Sequence, residues 1–189
     1  IEDSPTKLIL RQAYDATALI DETYCANKAN LQELIKDEDY AIPTSTNNPH
    51  FVVIQNVGPS NDDVSLYCRV TKSGSADTSS NYDTTHKNMY DQTYNISNTF
   101  NASENKMNMG NCGTGNSETH NAYFWLYNFG SSTLSSVMSR THMNVSSEQR
   151  LYGQIGGTSQ SVASATDGLV FYFASGNIAK GSFTMYEVT

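Results

Sequence analysis

The clearest feature of the chain is alternation. From Asp63 to Lys72, apolar residues (Val64, Leu66, Cys68, Val70) take turns with Ser65, Tyr67, Arg69 and Thr71, the period of two that puts one face of a strand in a core and the other toward solvent. Immediately before it, His50 to Val57 reads HFVVIQNV, a nearly unbroken apolar run that suits a strand buried on both faces. Gly58-Pro59-Ser60-Asn61-Asp62 lies between them and is rich in turn formers, so the pair is expected to form a hairpin. The C-terminal part has the same design. Leu169 to Ala174 and Ser182 to Val188 are rich in aromatic and β-branched residues, and they flank Ser175-Gly176-Asn177 and Lys180-Gly181, where Gly and Asn supply the positive φ of a tight reversal. A second hairpin is expected there, closing the fold.

Three further stretches carry strand patterns bounded by Gly or Ser: His120 to Phe129 (HNAYFWLYNF), Leu134 to Asn144 and Gln149 to Ile155. Thr6 to Glu22 holds two apolar clusters, Leu8-Ile9-Leu10 and Ala18-Leu19-Ile20, and reads as strand, bend, strand. Between Cys25 and Tyr40, Ala26, Ala29, Leu31, Leu34 and Ile35 recur near helical spacing among good helix formers, so one short helix is expected. Ile42 to Pro49 (IPTSTNNP) reads as a linker. From Ser73 to Gly115 the chain is almost wholly polar, and any strands there are expected to be short or on an edge, with long exposed connections. The resulting fold class is all-β, an antiparallel, jelly-roll-like β-sandwich of about eight strands. Residues 1–49 form N-terminal strands and an arm or insertion with the possible helix, and residues 50–189 form the sandwich core of a single domain.

Composition sharpens this picture. With 189 residues, 12 Tyr, 7 Phe and only 16% charged side chains, the chain can bury a core without staples and favours strands and polar turns over long helices. Its net charge of −8, with no cluster of Lys and Arg, makes nucleic acid an unexpected partner. No apolar run is long enough for a membrane helix, and no basic-then-apolar leader is present, so neither membrane insertion nor a signal peptide is expected. Ile1 in place of an initiator Met suggests trimming. Cys25, Cys68 and Cys112, an odd number at irregular spacing, suggest free structural thiols.

Candidate chemistry is sparse. His50, His86, His120 and His142 lie far apart without zinc-type spacing, and there is neither a GxSxG elbow nor a Walker loop. Gly110-Asn-Cys-Gly-Thr-Gly115 could be drawn as a nucleophile loop, but nothing flanking it would generate a thiolate, so it reads as a turn. Asn61-Asp62-Asp63 and Asp37-Glu38-Asp39 lack the ligand spacing of a calcium loop and read as solvated acidic turns. No catalytic residue, cofactor or metal is expected. Aromatics remain: Tyr82, Tyr90 and Tyr94 in the polar middle, and Tyr123, Trp125 and Tyr127 alternating onto one face of their strand. Beside Asn and Asp such rings can stack on a pyranose, and they serve subunit interfaces equally well. Tyr82, Tyr90, Tyr94, Trp125 and Tyr127 are therefore the candidate glycan or interface residues.

The segment SATDGLVFYFASGNIAKGSFTMYEV, from Ser164, resembles the C-terminus of small β-sandwich virion structural proteins of marine tailed bacteriophages. NVGPSNDDVSLYCRV with the following SGSADTSSNYD, and NAYFWLYNFGSSTLSSVMSRTHM, resemble their earlier landmarks in the same order, so the likeness spans roughly His50 onward. Cys25 to Pro49 looks like an insertion, and Tyr186-Glu187 stands where Tyr-Gly is usual. The resemblance implies a non-enzymatic virion structural protein, a surface-exposed capsid decoration, fibre or tail appendage. Its implied partners are other virion proteins and further copies of itself, a trimer being favoured. The alternative is a receptor- or carbohydrate-binding module that recognises host surface glycans.

Overall fold

The structure is a computed structural model and describes residues 8–15, 49–73, 75–90, 95–129, 131–145, 150–166 and 168–188. Among these, every regular element is a strand: β1 (Leu8–Asp15), β2 (His50–Pro59), β3 (Val64–Lys72), β4 (Ser75–Ala76), β5 (Tyr82–Tyr90), β6 (Asn95–Glu104), β7 (Met107–Cys112), β8 (His120–Tyr127), β9 (Ser136–Val145), β10 (Arg150–Gln160), β11 (Gly168–Phe173) and β12 (Ile178–Val188). Eight strands form one antiparallel sheet in the order β1, β12, β2, β8, β9, β10, β5, β6. A smaller sheet pairs β11 with β3, whose other edge carries β4 and β7 end to end. The fold is all-β and sandwich-like, with twelve strands among the described residues where the sequence suggested about eight. The expected helix between Cys25 and Tyr40 and the linker from Ile42 lie outside the described residues, Pro49 excepted.

Neither expected hairpin exists. β2 pairs with β12 and β8, while β3 pairs with β11 in the other sheet. The two stretches thus form a single two-stranded ribbon, β2 with β12 and then β3 with β11, which folds over from the large sheet into the small one. The connections cross side by side: Ser60 N donates to Asn177 O at 2.9 Å, Asn177 N donates to Ser60 Oγ at 2.8 Å, and Asn61 Nδ2 donates to Ser175 Oγ at 3.2 Å. The fold-over coincides with irregular register. β2 slips against β8 between Ile54 and Val57, where Asn56 has φ 53°, and β12 slips against β2 on both sides of Lys180, where Gly181 has φ 115°. Extra residues of this kind bend a strand and raise its twist, as a corner requires.

Folding the ribbon brings the inward residues of both sheets face to face. Leu66, Cys68 and Val70 of β3 and Leu169, Phe171 and Phe173 of β11 oppose Val52 and Ile54 of β2, Ala122, Phe124 and Leu126 of β8, and Phe183 of β12 in one buried cluster. Phe171 stands at the junction, its ring 5.9 Å from Phe124 and 4.9 Å from Phe183. β2 is not buried on both faces as its composition suggested. His50, Val52 and Ile54 are buried, whereas Phe51 and Val53 are half-buried on the outer side.

The polar stretch after Ser73 meets the expectation only in part: β6 and β7 lie at sheet edges, but β5 is nine residues long and internal to the large sheet. Polar pairs do there what apolar ones do elsewhere. Thr84 and Thr158 lie 3.0 Å apart by their hydroxyls, and buried Gln154 Nε2 donates to Asn88 Oδ1 at 3.2 Å. Asn88 Nδ2 in turn donates to Thr99 Oγ1 at 3.2 Å, which extends the polar ladder onto β6. Buried polar groups are tolerated when they bond one another.

Candidate recognition face

Because β8 buries His120, Ala122, Phe124 and Leu126, its period of two sends Asn121, Tyr123, Trp125 and Tyr127 to the outer face of the large sheet. Strand register assembles their neighbours from distant parts of the chain. Tyr186 of β12 lies opposite Phe51 of β2, Phe51 opposite Trp125, and Trp125 opposite Met138 of β9. Phe51 is the centre of this row, with ring centroids 4.8 Å from Trp125, 5.9 Å from Tyr123 and 6.4 Å from Tyr186. Met138 is 61% exposed and Tyr123 40%.

One step along the strands, a second row aligns Val53, Tyr123, Arg140, Ile155 and Lys87. Arg140 Nη1 donates to the Tyr123 hydroxyl at 3.2 Å. An open groove of about 400 Å³ runs here, lined by Phe51, Val53, Gln55, Asn121, Tyr123 and Arg140 among others. Asn121 is itself fixed, its Oδ1 accepting from the bulged Asn56 N at 2.9 Å. Most other described cations are engaged within the molecule. Lys72 pairs with Asp77, Lys180 donates to Gly115 O, Lys106 lies over the Tyr67 ring, and Arg69 lies over Tyr172 while donating to Asn105 O.

At the far side of the same sheet, β6 pairs only with β5 among the described residues and forms an edge. Its sequence, NISNTFNASE, has no Pro, no Lys and no Arg. Ile96 and Phe100 stand outward from it at 56% and 73% exposure.

The aromatics singled out from the sequence part company here. Trp125 and Tyr127 lie half-buried on the outer face as the alternation implied. Tyr82 does not face solvent: it is fully buried, its hydroxyl donates to Asp77 O at 2.9 Å and accepts from Val70 N at 3.2 Å, and burial pushes its phenol far above the usual range. A ring so placed joins the two sheets and cannot stack on a ligand. Tyr94 and the side chain of Tyr90 lie outside the described residues. Phe51, Arg140 and the outward residues of β6 were not singled out by sequence; Phe51 left a trace as part of an apolar run, and β6 as part of a polar stretch expected to hold edge strands.

The glycine-rich loop is a clamped turn. Thr114 N donates to Asp62 Oδ1 at 3.0 Å, Gly115 N donates to Glu118 Oε2 at 2.9 Å, and Lys180 Nζ reaches Gly115 O at 2.9 Å. Cys112 is buried, and burial pushes its thiol up to about 12, which keeps it protonated at neutral pH. His50 and His120 are buried, and burial also holds His86 below its ordinary value. Among the described residues no three His, Cys, Asp or Glu side chains converge as metal ligands, and no described helix is long and apolar enough to cross a membrane. Asp37-Glu38-Asp39 lies outside the described residues. No family model matches the chain, and no curated protein or solved structure matches it.

Proposed function

We propose that this chain is a non-enzymatic structural subunit of a virion surface, a β-sandwich that assembles with further copies of itself through the β6 edge. The observation that carries the reading is β6 itself, a ten-residue edge strand free of Pro, Lys and Arg, with Ile96 and Phe100 projecting into solvent. Proteins that stay monomeric protect such edges with charge, Pro or bulges, because unpaired N–H and C=O groups beside apolar side chains recruit another strand; in β6 the bulge at Ser103 and the charge of Glu104 are confined to its C-terminal end, which leaves the pairing from Asn95 to Asn101 regular. If β6 of one copy seats on a different surface of the next, the contact is heterologous, and it forms a ring where the rotation between copies closes, a trimer being the favoured size. Virion identity rests on the sequence resemblance, and the edge is what would serve it. Light scattering of the purified protein tests the assembly: a stable oligomer that Phe100→Lys converts to monomer supports it, whereas a monomeric wild type, or an oligomer indifferent to Phe100→Lys and Ile96→Lys, refutes it.

The second reading is a carbohydrate-binding module for host surface glycans. Arg140, held against an exposed tyrosine in an aromatic groove, favours it.

A further inference from the structure

We infer that the groove between β2, β8 and β9 is a binding site for an acidic saccharide, with Tyr123 as the stacking ring and Arg140 as the carboxylate anchor. This rests on the second reading above and names its ligand class. Three observations converge on it. First, the groove has an aromatic wall: Phe51 backs Tyr123 at 5.9 Å, and Tyr123 keeps 40% of its surface open. A pyranose presents a flat face of C–H groups that such a ring receives, while its hydroxyls need amides at the rim. Asn121 and Gln55 line the same groove.

Second, Arg140 is exposed and carries no carboxylate among the described residues. Its one described bond, from Nη1 to the Tyr123 hydroxyl, occupies one of five N–H donors and orients the guanidinium while leaving a fork that fits a carboxylate in two-point fashion. Third, charge selects the ligand. The protein carries −8 overall, yet this row sets Arg140 and Lys87 on either side of Ile155 with no acidic residue in it. A cationic spot on an acidic molecule repels neither a uronate nor a sialate locally and gives a neutral sugar no advantage.

The site is separable from the assembly edge. Arg140 lies on β9, three strand spacings or about 14 Å from β6. Loss of assembly and loss of binding are therefore independent results.

The test is a titration of the full chain with N-acetylneuraminyl-lactose and with a glucuronate-containing tetrasaccharide, against lactose and chitotetraose as neutral controls, read by amide chemical shifts and calorimetry. At least one acidic sugar is expected to bind with shifts at Tyr123 and Arg140, and Arg140→Gln is expected to weaken it by tenfold or more. Tyr123→Ala should do likewise, and Tyr123→Phe should keep most of the affinity because the ring remains. Arg140→Gln and Tyr123→Phe alter outward side chains, so unchanged circular dichroism is expected, and light scattering on the same samples reports assembly separately. Equal binding of neutral and acidic sugars, no binding of any of the four, or affinity unmoved by Arg140→Gln would overturn the assignment. None of these results bears on β6.

Discussion

Phe171→Ala tests the folded ribbon where it matters most. Phe171 is 1% exposed and its ring spans the two sheets, meeting Phe124 of β8 at 5.9 Å and Phe183 of β12 at 4.9 Å. Truncating a buried Phe to Ala costs about 3–5 kcal/mol, through lost transfer energy and the cavity left behind. At about 2–4 °C per kcal/mol for a domain of this size, the midpoint should fall by roughly 8–16 °C for a loss of about 4 kcal/mol. Urea denaturation is the assay, and the midpoint concentration should fall with the slope unchanged. The pair term can be isolated: a double-mutant cycle between Phe124→Leu and Phe171→Leu should return a coupling of about 0.5–1.5 kcal/mol, the amount that aromatic pairs contribute beyond area. Were β11 and β12 a hairpin within one sheet, Phe171 and Phe124 would not face each other across a core. A destabilisation below about 1 kcal/mol, or a coupling of zero, would refute the two-sheet account.

Two further predictions bear on the corner and on acid sensitivity. Gly181 has φ 115°, and a Cβ there would lie 2.5 Å from Val57 Cα, whereas a Cβ on Gly58 meets only the flexible Lys180 side chain; Gly181→Ala should therefore lower the thermal midpoint far more than Gly58→Ala, and equal effects would show that the corner tolerates a side chain. Asp77 is opposed by burial, but bonds from Lys72 and from the side chain and backbone of Ser79 outweigh it and hold its carboxyl below the usual range. Since the folded value lies below the unfolded one of about 3.9, its stabilisation is present above that pH and lost as pH falls through the folded value. The wild type's advantage over Asp77→Asn in urea should accordingly shrink between pH 7 and pH 2, and a constant gap would exclude the ion pair as its source.

The strands were legible where hydrophobicity itself alternates, and the partners of those strands were not. Val64, Leu66, Cys68 and Val70 announce β3, and Leu169, Phe171 and Phe173 announce β11, because each carries its own apolar face. Turn formers at residues 58–62 and 175–177 say that the chain reverses, but the same residues serve a hairpin within one sheet and a crossover between two. Deciding between them takes the bond from Ser60 to Asn177, a contact 117 residues apart in sequence. β5 escaped for the opposite reason. Its inner face is built from Tyr82, Thr84, His86 and Asn88, so a hydrophobic period has nothing to register, and the ladder that holds it consists of hydroxyls and amides whose complementarity appears only once β10 and β6 lie alongside.

The same limit governs the candidate recognition face, and it explains why Tyr82 does not belong to it. An isolated tyrosine in polar surroundings looks exposed, as Tyr82 does in the sequence; in the fold its ring is buried and its hydroxyl accepts from Val70 N of the opposite sheet, so the polar neighbourhood in sequence is not its neighbourhood in space. Trp125 and Tyr127 were legible because an outward row within one strand needs only the period of two. Arg140 could not be found this way. It gains meaning from standing opposite Tyr123 across the β8 and β9 register, with Phe51 arriving from β2 on the other side. A groove made from three strands is a property of pairing, and a one-residue slip of β9 would carry Arg140 to the opposite face of the sheet. Register is therefore part of the site, and β9 is held to it by Val137, an inward neighbour whose burial in the core would be lost in the same slip.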